Sequence, residues 1–396
     1  MNKPLEGIRV LDLTQAYSGP FCTMHLADMG AEVIKVESMS GDQSRTWGPF
    51  KNDYSAYYAY VNRNKHGITL NLKTEEGKQI LRELIKTSDV ICENFKVGTF
   101  EKMGFTWETI HEINPRIIYG SISGYGLEGP LSKRPAYDII AQGMSGMMSV
   151  TGHPESPMCK CGPSIGDNYT GTYLALGIMM ALFQREKTGE GQRLDVSMVD
   201  TLFSVLENFV VMYTVGGITP KRQGNIDPSA APFDSFVAKD GEFVMGCGVD
   251  KMYVSLCEAM GREDLITDPR YITNQDRCDN YLPDLKAQIE AWTKTKTIAE
   301  LDEIIAGANI PFGPINDIPT ICESQLIKDR NMLWTVNDPG LGEVRIPGCP
   351  IKIHGQVDDV QKAAPLLSED TDKLLSGILG FTEEQLKDLR SNGIVL

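Results

Sequence analysis

Residues 8–37 read IRVLDLTQAYSGPFCTMHLADMGAEVIKVE, and this stretch decides the fold. Ile8–Leu13 is a short branched apolar run, the pattern of a buried strand. Phe21–Met29 carries apolar residues at helical spacing, and Gly30 leads into a second strand, Glu32–Glu37. Strand, helix, strand is the signature of a parallel pair joined by a crossover helix. The alternation continues outward through strand Ile68–Leu72, helix Glu75–Lys86, strand Val90–Glu93, helix Trp107–Ile113 and strand Ile117–Ser123. It resumes with helix Tyr169–Arg185, strand Arg193–Ser197 and helix Val199–Val211. Such a chain is an α/β protein with a mostly parallel sheet between helices.

Residues 215–235 are rich in Gly, Pro, Asn and Ser and read as a linker. A smaller α+β unit follows over residues 236–325. Its strands Ser235–Ala238 and Glu242–Cys247 flank a Lys-Asp-Gly turn, and its helices lie near Met252–Met260, Leu285–Thr293 and Ile298–Ala306. Short strands at Val344–Ile346 and Ile351–Ile353 and a helix near Ser368–Leu379 close the chain.

At 396 residues, with 41% hydrophobic and 23% charged residues, the chain is long enough for two globular domains and is not disordered, collagenous or coiled-coil. A net charge of −15 argues against nucleic acid and anionic lipid as partners. The most apolar stretch, Tyr173–Phe183, is shorter than the roughly 20 residues that span a bilayer. Glu6, Arg9 and Asp12 interrupt any signal-peptide core, so a cytoplasmic protein without a membrane partner is expected. The nine cysteines are scattered without a CxxC, and the five histidines are well separated, so no metal is expected.

The first strand–helix turn, Gln15-Ala16-Tyr17-Ser18-Gly19-Pro20, lacks GxGxxG and sets bulky Tyr17 where a pyrophosphate would need close approach, which argues against NAD or FAD. Asn94-Phe95-Lys96 follows a strand, with Lys102 soon after, and Gly41–Arg45 is a similar turn. Each reads either as a solvated turn or as an anion contact at a strand's carboxyl end. Gly166-Asp167-Asn168 opens the long apolar helix. An isolated Asp there reads first as an N-cap. Its functional reading is a carboxylate nucleophile of ordinary pKa, about 4, that needs no base and that the preceding glycine leaves open to substrate. No P-loop, HExxH or Cys–His pair competes with it.

The blocks LEGIRVLDLT, GAEVIKVE, GITLNLKTEEGK, SDVICENF, MGFTWETIHEINPRIIYGSISGYG and GDNYTG…TGEGQRLDVSM, with the ending CPIKI…AAPLLSEDT, resemble the class III (family III) CoA-transferases. Formyl-CoA transferase and the carnitine and bile-acid CoA-transferases belong to that family. The resemblance implies a Rossmann-like large domain over 1–220, completed by the C-terminal segment 326–396, plus a small domain over 221–325, in an interlocked homodimer. It implies coenzyme A, arriving as an acyl-CoA, as the co-substrate, and no metal.

The resemblance also makes Asp167 the nucleophile of a covalent transfer through aspartyl anhydride and aspartyl-CoA thioester intermediates, with neighbouring backbone N–H groups stabilising the oxyanions. It puts Tyr17 and Ser18, Leu70, Asn71, Leu72 and Lys73, Asn94, Phe95 and Lys96, Lys102, and Pro135, Ala136, Tyr137 and Asp138 at the coenzyme. Lys73, Lys96, Lys102 and Arg45 supply charge for its phosphates.

Three departures from formyl-CoA transferases stand out. Tyr17 replaces a Gln, Ser38 replaces an Arg, and the glycine-run loop is reduced to Gly246-Cys247-Gly248. The acceptor is therefore expected to be a small organic monocarboxylate, with formyl-CoA:oxalate transfer as the alternative. An α-methylacyl-CoA racemase would need a His partner where this chain has Ala136-Tyr137-Asp138, and a non-catalytic CoA-binding scaffold would not need an intact Gly166-Asp167.

Overall fold

The computed structural model describes residues 3–396. The chain forms two compact units. The first runs to Met147, resumes over Lys160–Val211 and ends with Gln325–Leu396; the second comprises Met148–Cys159 and Met212–Ser324.

The first unit is built on six strands, β1 (Arg9–Asp12), β2 (Glu32–Glu37), β3 (Lys65–Thr69), β4 (Val90–Glu93), β5 (Ile118–Ser123) and β6 (Arg193–Ser197). All pair in parallel in the order β3-β2-β1-β4-β5-β6. This is a doubly wound order, whose crevice lies where the winding reverses, between β1 and β4. Successive side chains go to opposite faces. Leu11, Ile34, Ile91 and Tyr119 face one core with Ile80, Leu84 and Phe105, and the C-terminal Leu374, Leu375, Leu386, Ile394 and Val395 complete that core. Val10, Val33, Val90 and Ile118 face the other, covered by helices α1 (Ser18–Asp28) and α2 (Ile165–Thr188) through Cys22, Leu26, Leu174 and Ile178. The second unit holds an antiparallel sheet of Phe233–Val237, Glu242–Gly246 and Phe312–Pro314 over its own core of Phe236, Phe243, Leu256 and Leu285.

Several boundaries differ from the sequence reading, each for a physical reason. β3 starts at Lys65, not Ile68, because the Lys65 ammonium is buried against Asp12 at 2.9 Å, and a charged first residue hides a strand from an apolar pattern. Val199–Val211 is two helices, Met198–Ser204 and Asn208–Thr214, with Glu207 at φ +50° between them. Ile351–Ile353 is not a strand, and Val344–Ile346 pairs instead with Leu333–Asp338. The helix Glu383–Ser391 was not anticipated, although Thr382 and Gln385 form a capping box at its start. Gly246 ends a strand and Cys247 is buried, so Gly246–Gly248 is no free glycine loop.

Beneath the carboxyl ends of β1–β3 lie two fully buried ion pairs, Lys65–Asp12 and Lys35–Asp42 at 2.7 Å. Asp12 also accepts from the Thr14 backbone N–H and the Thr23 hydroxyl, and Lys35 donates to the Thr14 carbonyl at 2.6 Å. Burial alone would raise the Asp12 carboxyl; the Lys65 and Lys35 ammonium groups outweigh it and hold the group well below the usual carboxylate range. Removing one member of such a set leaves a buried charge unpaired. Asp12→Asn is therefore expected to cost about 3–5 kcal/mol by urea denaturation. Glu32→Gln, which breaks only the solvent-facing Arg9 pair, is expected to cost less than about 1 kcal/mol.

Candidate active site

A cavity of about 630 Å³ opens at the carboxyl edge of the sheet, where β1, β4 and β5 end. The loops after β1 and β4 are stapled together across the crevice. The Asn94 side-chain amide donates to the Gln15 carbonyl and accepts from the Gln15 N–H, both at 2.8 Å. Ala16, between Gln15 and Tyr17, sits at φ +67°, a left-handed conformation costly for a residue with a Cβ, and its N–H is held by Asp42 at 3.2 Å. The buried ion pairs thus set the path of the loop that carries Tyr17 and Ser18.

Asp167 lines the cavity from the first turn of α2. It is not the N-cap: the helix begins at Ile165, so Asp167 is its third residue. The long helix reaches this position because α2 crosses closely over the start of α1. A Cβ at Gly171 would stand 2.5 Å from the Ser18 carbonyl oxygen, so only glycine permits the approach. Gly166 also relieves crowding against its neighbours. A Cβ there would meet an Asp138 carboxyl oxygen at 3.0 Å and Leu202 at 3.2 Å. Asp138 accepts the Gly166 N–H at 2.8 Å and the Gln142 amide at 2.7 Å, which fixes it beside the Asp167 turn.

This arrangement overturns the expectation of an ordinary carboxyl group. Burial, then the Asp138 charge, push the Asp167 pKa up to about 7, against an opposing hydrogen bond from the Ser18 hydroxyl. The oxyanion expectation also changes, because the Gly166 N–H is already given to Asp138 and the Asn168 N–H to the Ser164 carbonyl.

Of the residues expected at the coenzyme, Tyr17, Ser18, Asn94, Phe95, Lys96, Pro135, Ala136, Tyr137 and Asp138 line the same cavity as Asp167. The others do not. Arg45 spends its guanidinium on Glu37 at 2.7 and 2.8 Å, on the Tyr58 hydroxyl and on the Pro365 carbonyl. Leu70 is in the core and Leu72 packs on it. Asn71 ties down the C-terminus through Gly393 and Ile394. Lys73 and Lys102 are exposed outside the cavity.

The sequence reading missed Trp47 and Tyr57. With Tyr17 they form a run of rings, Tyr17–Tyr57 at 5.4 Å and Trp47–Tyr57 at 5.6 Å, along the cavity wall. Burial keeps both phenols protonated, reinforced at Tyr17 chiefly by the neighbouring Tyr60 and Tyr57 and at Tyr57 by the Asp167 charge. The aromatic-rich stretch Tyr54–Tyr60 was the available signal. Arg134 and Lys160 are further cations on the lining.

The first unit is thus a doubly wound α/β fold with a carboxyl pair on the cavity at the sheet's carboxyl edge. The model of the CoA-transferase family III matches residues 5–371. The chain is 41% identical over 369 residues to the acetyl-CoA:oxalate CoA-transferase of Acetobacter aceti, covering 92% of this chain and 93% of the relative. It is 41% identical over 381 residues to the succinyl-CoA:mesaconate CoA-transferase of Haloarcula hispanica (94% and 95% covered), and 35% identical over 395 residues to the succinyl-CoA:glutarate CoA-transferase of Homo sapiens (99% and 90% covered). A crystal structure of a CAIB/BAIF family protein from Brucella suis superposes with a TM-score of 0.83 at 35% identity, covering 96% of this chain and 100% of that one. The chain belongs to CoA-transferase family III and is a CoA-transferase that uses CoA thioesters.

If the ionised Asp167 is the reacting form, kcat/KM for CoA exchange rises with pH through about 7 rather than about 4. Asp138→Asn shifts that acid limb to lower pH but leaves it above an ordinary aspartate, because burial is the larger cause. Stability follows the same sign. The folded-state pKa is raised, so ionising Asp167 costs stability increasingly as pH climbs from about 4 to about 7. Asp167→Asn is therefore expected to stabilise the protein by about 1–2 kcal/mol at pH 8, after allowance for solvent screening at an open cavity, and negligibly at pH 4. Thermal melts at the two pH values check this.

Proposed function

We propose that Asp167 carries CoA between two carboxylic acids by covalent catalysis. Its carboxylate attacks the acyl-CoA carbonyl and expels CoA thiolate, forming an aspartyl–acyl anhydride. The thiolate attacks the aspartyl carbonyl, which releases the first acid and leaves an aspartyl-CoA thioester. The acceptor carboxylate attacks that thioester to give a second anhydride and thiolate. The thiolate takes the new acyl group and frees Asp167. Every step exchanges one acyl bond for another, so the thioester's free energy is conserved as long as water stays out. The observation that carries this reading is a raised, partly buried carboxyl group on the cavity lining, with no histidine or thiol among the described lining residues to compete with it. The same lack of a lining histidine speaks against the racemase reading.

In this proposal Lys96 meets a phosphate of the coenzyme, while Phe95, Pro135 and Tyr137 lie along its pantetheine arm. Lys73 and Lys102 follow β3 and β4 and belong to the same sheet edge, where they extend the positive field beyond the cavity. Arg45 acts indirectly, through its hold on Glu37, which in turn accepts the Asp42 N–H at 2.7 Å. The Tyr17–Tyr57–Trp47 wall supports an acceptor with apolar surface, a small organic monocarboxylate. A second reading, an acceptor with two carboxylates like the oxalate, mesaconate and glutarate of the relatives' names, is favoured by Arg134 and Lys160 on the lining.

The domains are proposed to run over 1–220 with 326–396, and over 221–325. The working form is proposed to be an interlocked homodimer in the cytoplasm. Tyr169, Tyr173, Leu176, Met180 and Phe183 form an exposed apolar stripe on α2, from 40% to 67% accessible, which a second copy would cover. The nine cysteines are free, and no helix of the described residues is long and apolar enough to cross a membrane.

Asp167→Asn is expected to abolish CoA exchange while retaining CoA-ester binding, and hydroxylamine is expected to trap an adduct at Asp167 in the wild type alone. Full activity in the variant would exclude the covalent scheme. Lys96→Ala is expected to raise KM for CoA esters about tenfold, the loss of one charge-assisted contact of about 1.5 kcal/mol, with little change in kcat. An acceptor screen at fixed donor, ranking branched monocarboxylates against oxalate, mesaconate and glutarate, separates the two acceptor readings.

A further inference from the structure

Away from the cavity, α1 brings two potential metal ligands, His25 and Asp28, to one face at a spacing of three residues. Cys349 arrives beside them from the segment after the strand Gly342–Pro347. The ligand atoms of the three residues all lie within 4.8 Å of one another. Cys349 is 2% and Asp28 5% exposed.

The second observation is the imidazole itself. His25 Nδ1 is buried and has no hydrogen-bond partner, and one nitrogen of the same ring lies within 4.8 Å of the Cys349 and Asp28 ligand atoms. Leaving a buried polar atom unpaired costs about 1–3 kcal/mol, so an orphaned nitrogen on a residue of this cluster points to a missing partner.

Asp28 is not exhausted by its other partners. One oxygen accepts from Arg63 Nε at 3.1 Å and Asn64 at 2.8 Å; the other accepts only from Arg63 at 2.7 Å, so that oxygen keeps a lone pair. A void of about 20 Å³ borders Asp28 and Cys349 but not His25, and its wall also carries Lys3, Asp358 and Asp359. It has room for one small ion or one water. Asp359 is exposed, which gives an entry path from solvent.

We propose that His25, Asp28 and Cys349 bind one zinc-class divalent cation, which fastens the segment around Cys349 to helix α1. One nitrogen, one sulfur and one oxygen are the donor set of a borderline-soft ion rather than of magnesium or calcium. A water in the void completes four-coordination. Cys349 binds as thiolate, so its proton leaves to solvent as the ion enters, and the Asp28 carboxylate is shared between the ion and Arg63. Arg63 keeps its ion pair with Asp28. The site is independent of the transfer chemistry. Count and spacing in the sequence gave no sign of it, because Cys349 lies far along the chain from His25.

The test uses the full, tag-free protein stripped of metal. Zinc is titrated against a chromophoric chelator, and cobalt serves as a spectroscopic probe. One equivalent per chain is expected, with a thiolate-to-cobalt charge-transfer band, release of a proton, and a zinc-dependent rise in Tm. Cys349→Ser is expected to remove the band and weaken zinc binding by about 100-fold or more, His25→Gln by at least about 10-fold, with CoA exchange in Cys349→Ser unchanged. Should Cys349→Ser fold poorly, mass-spectrometric mapping of alkylated thiols in the wild type decides: zinc is expected to protect Cys349 selectively. A folded protein that binds no stoichiometric zinc, binding that survives both substitutions, or equal alkylation of Cys349 with and without zinc overturns the proposal, and the void is then occupied by water.

Discussion

The structure depends on four charges that never meet solvent. Asp12, Lys35, Asp42 and Lys65 lie on or just beyond β1, β2 and β3, and each pairs with an opposite charge at hydrogen-bond distance. Burying them is expensive unless every lone pair and proton is used, and here the spare capacity is spent on the chain that leaves β1. Asp12 takes the Thr14 N–H, Lys35 the Thr14 carbonyl, Lys65 the Pro20 carbonyl and Asp42 the Ala16 N–H. A neutral core would hold the strands together equally well, but it would offer nothing to fix a strained loop. The network converts burial into position, and what it positions is the wall of the cavity.

The second constraint is close backbone approach. Gly171 lets α2 touch the start of α1, and Gly166 lets Asp138 sit against the first turn of α2. Together they bring one carboxyl group from the β5–α2 connection next to another on α2, opposite Ser18. Desolvation and a like charge then raise the Asp167 pKa toward neutrality. A carboxylate held there is more basic than a free aspartate and is a better nucleophile toward a thioester, while still ionised in useful proportion at neutral pH. Shape and pKa are thus two consequences of the same packing.

The sheet was legible because its strands are apolar and its crossovers helical. Glu32–Glu37, Val90–Glu93 and Arg193–Ser197 stand where their patterns put them. Pattern failed where charge was buried, as at Lys65. It also missed Leu333–Asp338, which pairs with Gly342–Pro347 in a local hairpin and alternates buried with exposed residues rather than forming an apolar run. Asp167 was legible as a motif but not as a chemical group: its neighbour Asp138 is 29 residues away in the chain, and only the fold makes them neighbours. Arg45 shows the converse. A cation in a glycine turn looked free to bind phosphate, yet the fold commits it to Glu37 and Tyr58.

The central claim is that the Asp167 carboxylate becomes an acyl carrier. The direct measurement gives the enzyme, during turnover with an acyl-CoA, an acceptor acid labelled in both carboxyl oxygens with heavy oxygen, followed by mass spectrometry of the peptide that contains Asp167. The bridging oxygen of the second anhydride stays on the aspartate when CoA thiolate takes the acyl group. Heavy oxygen is therefore expected to accumulate in Asp167, only when the acyl-CoA is present, and the product acyl-CoA is expected to retain one labelled oxygen. An Asp167 peptide that stays unlabelled while product forms would contradict the account.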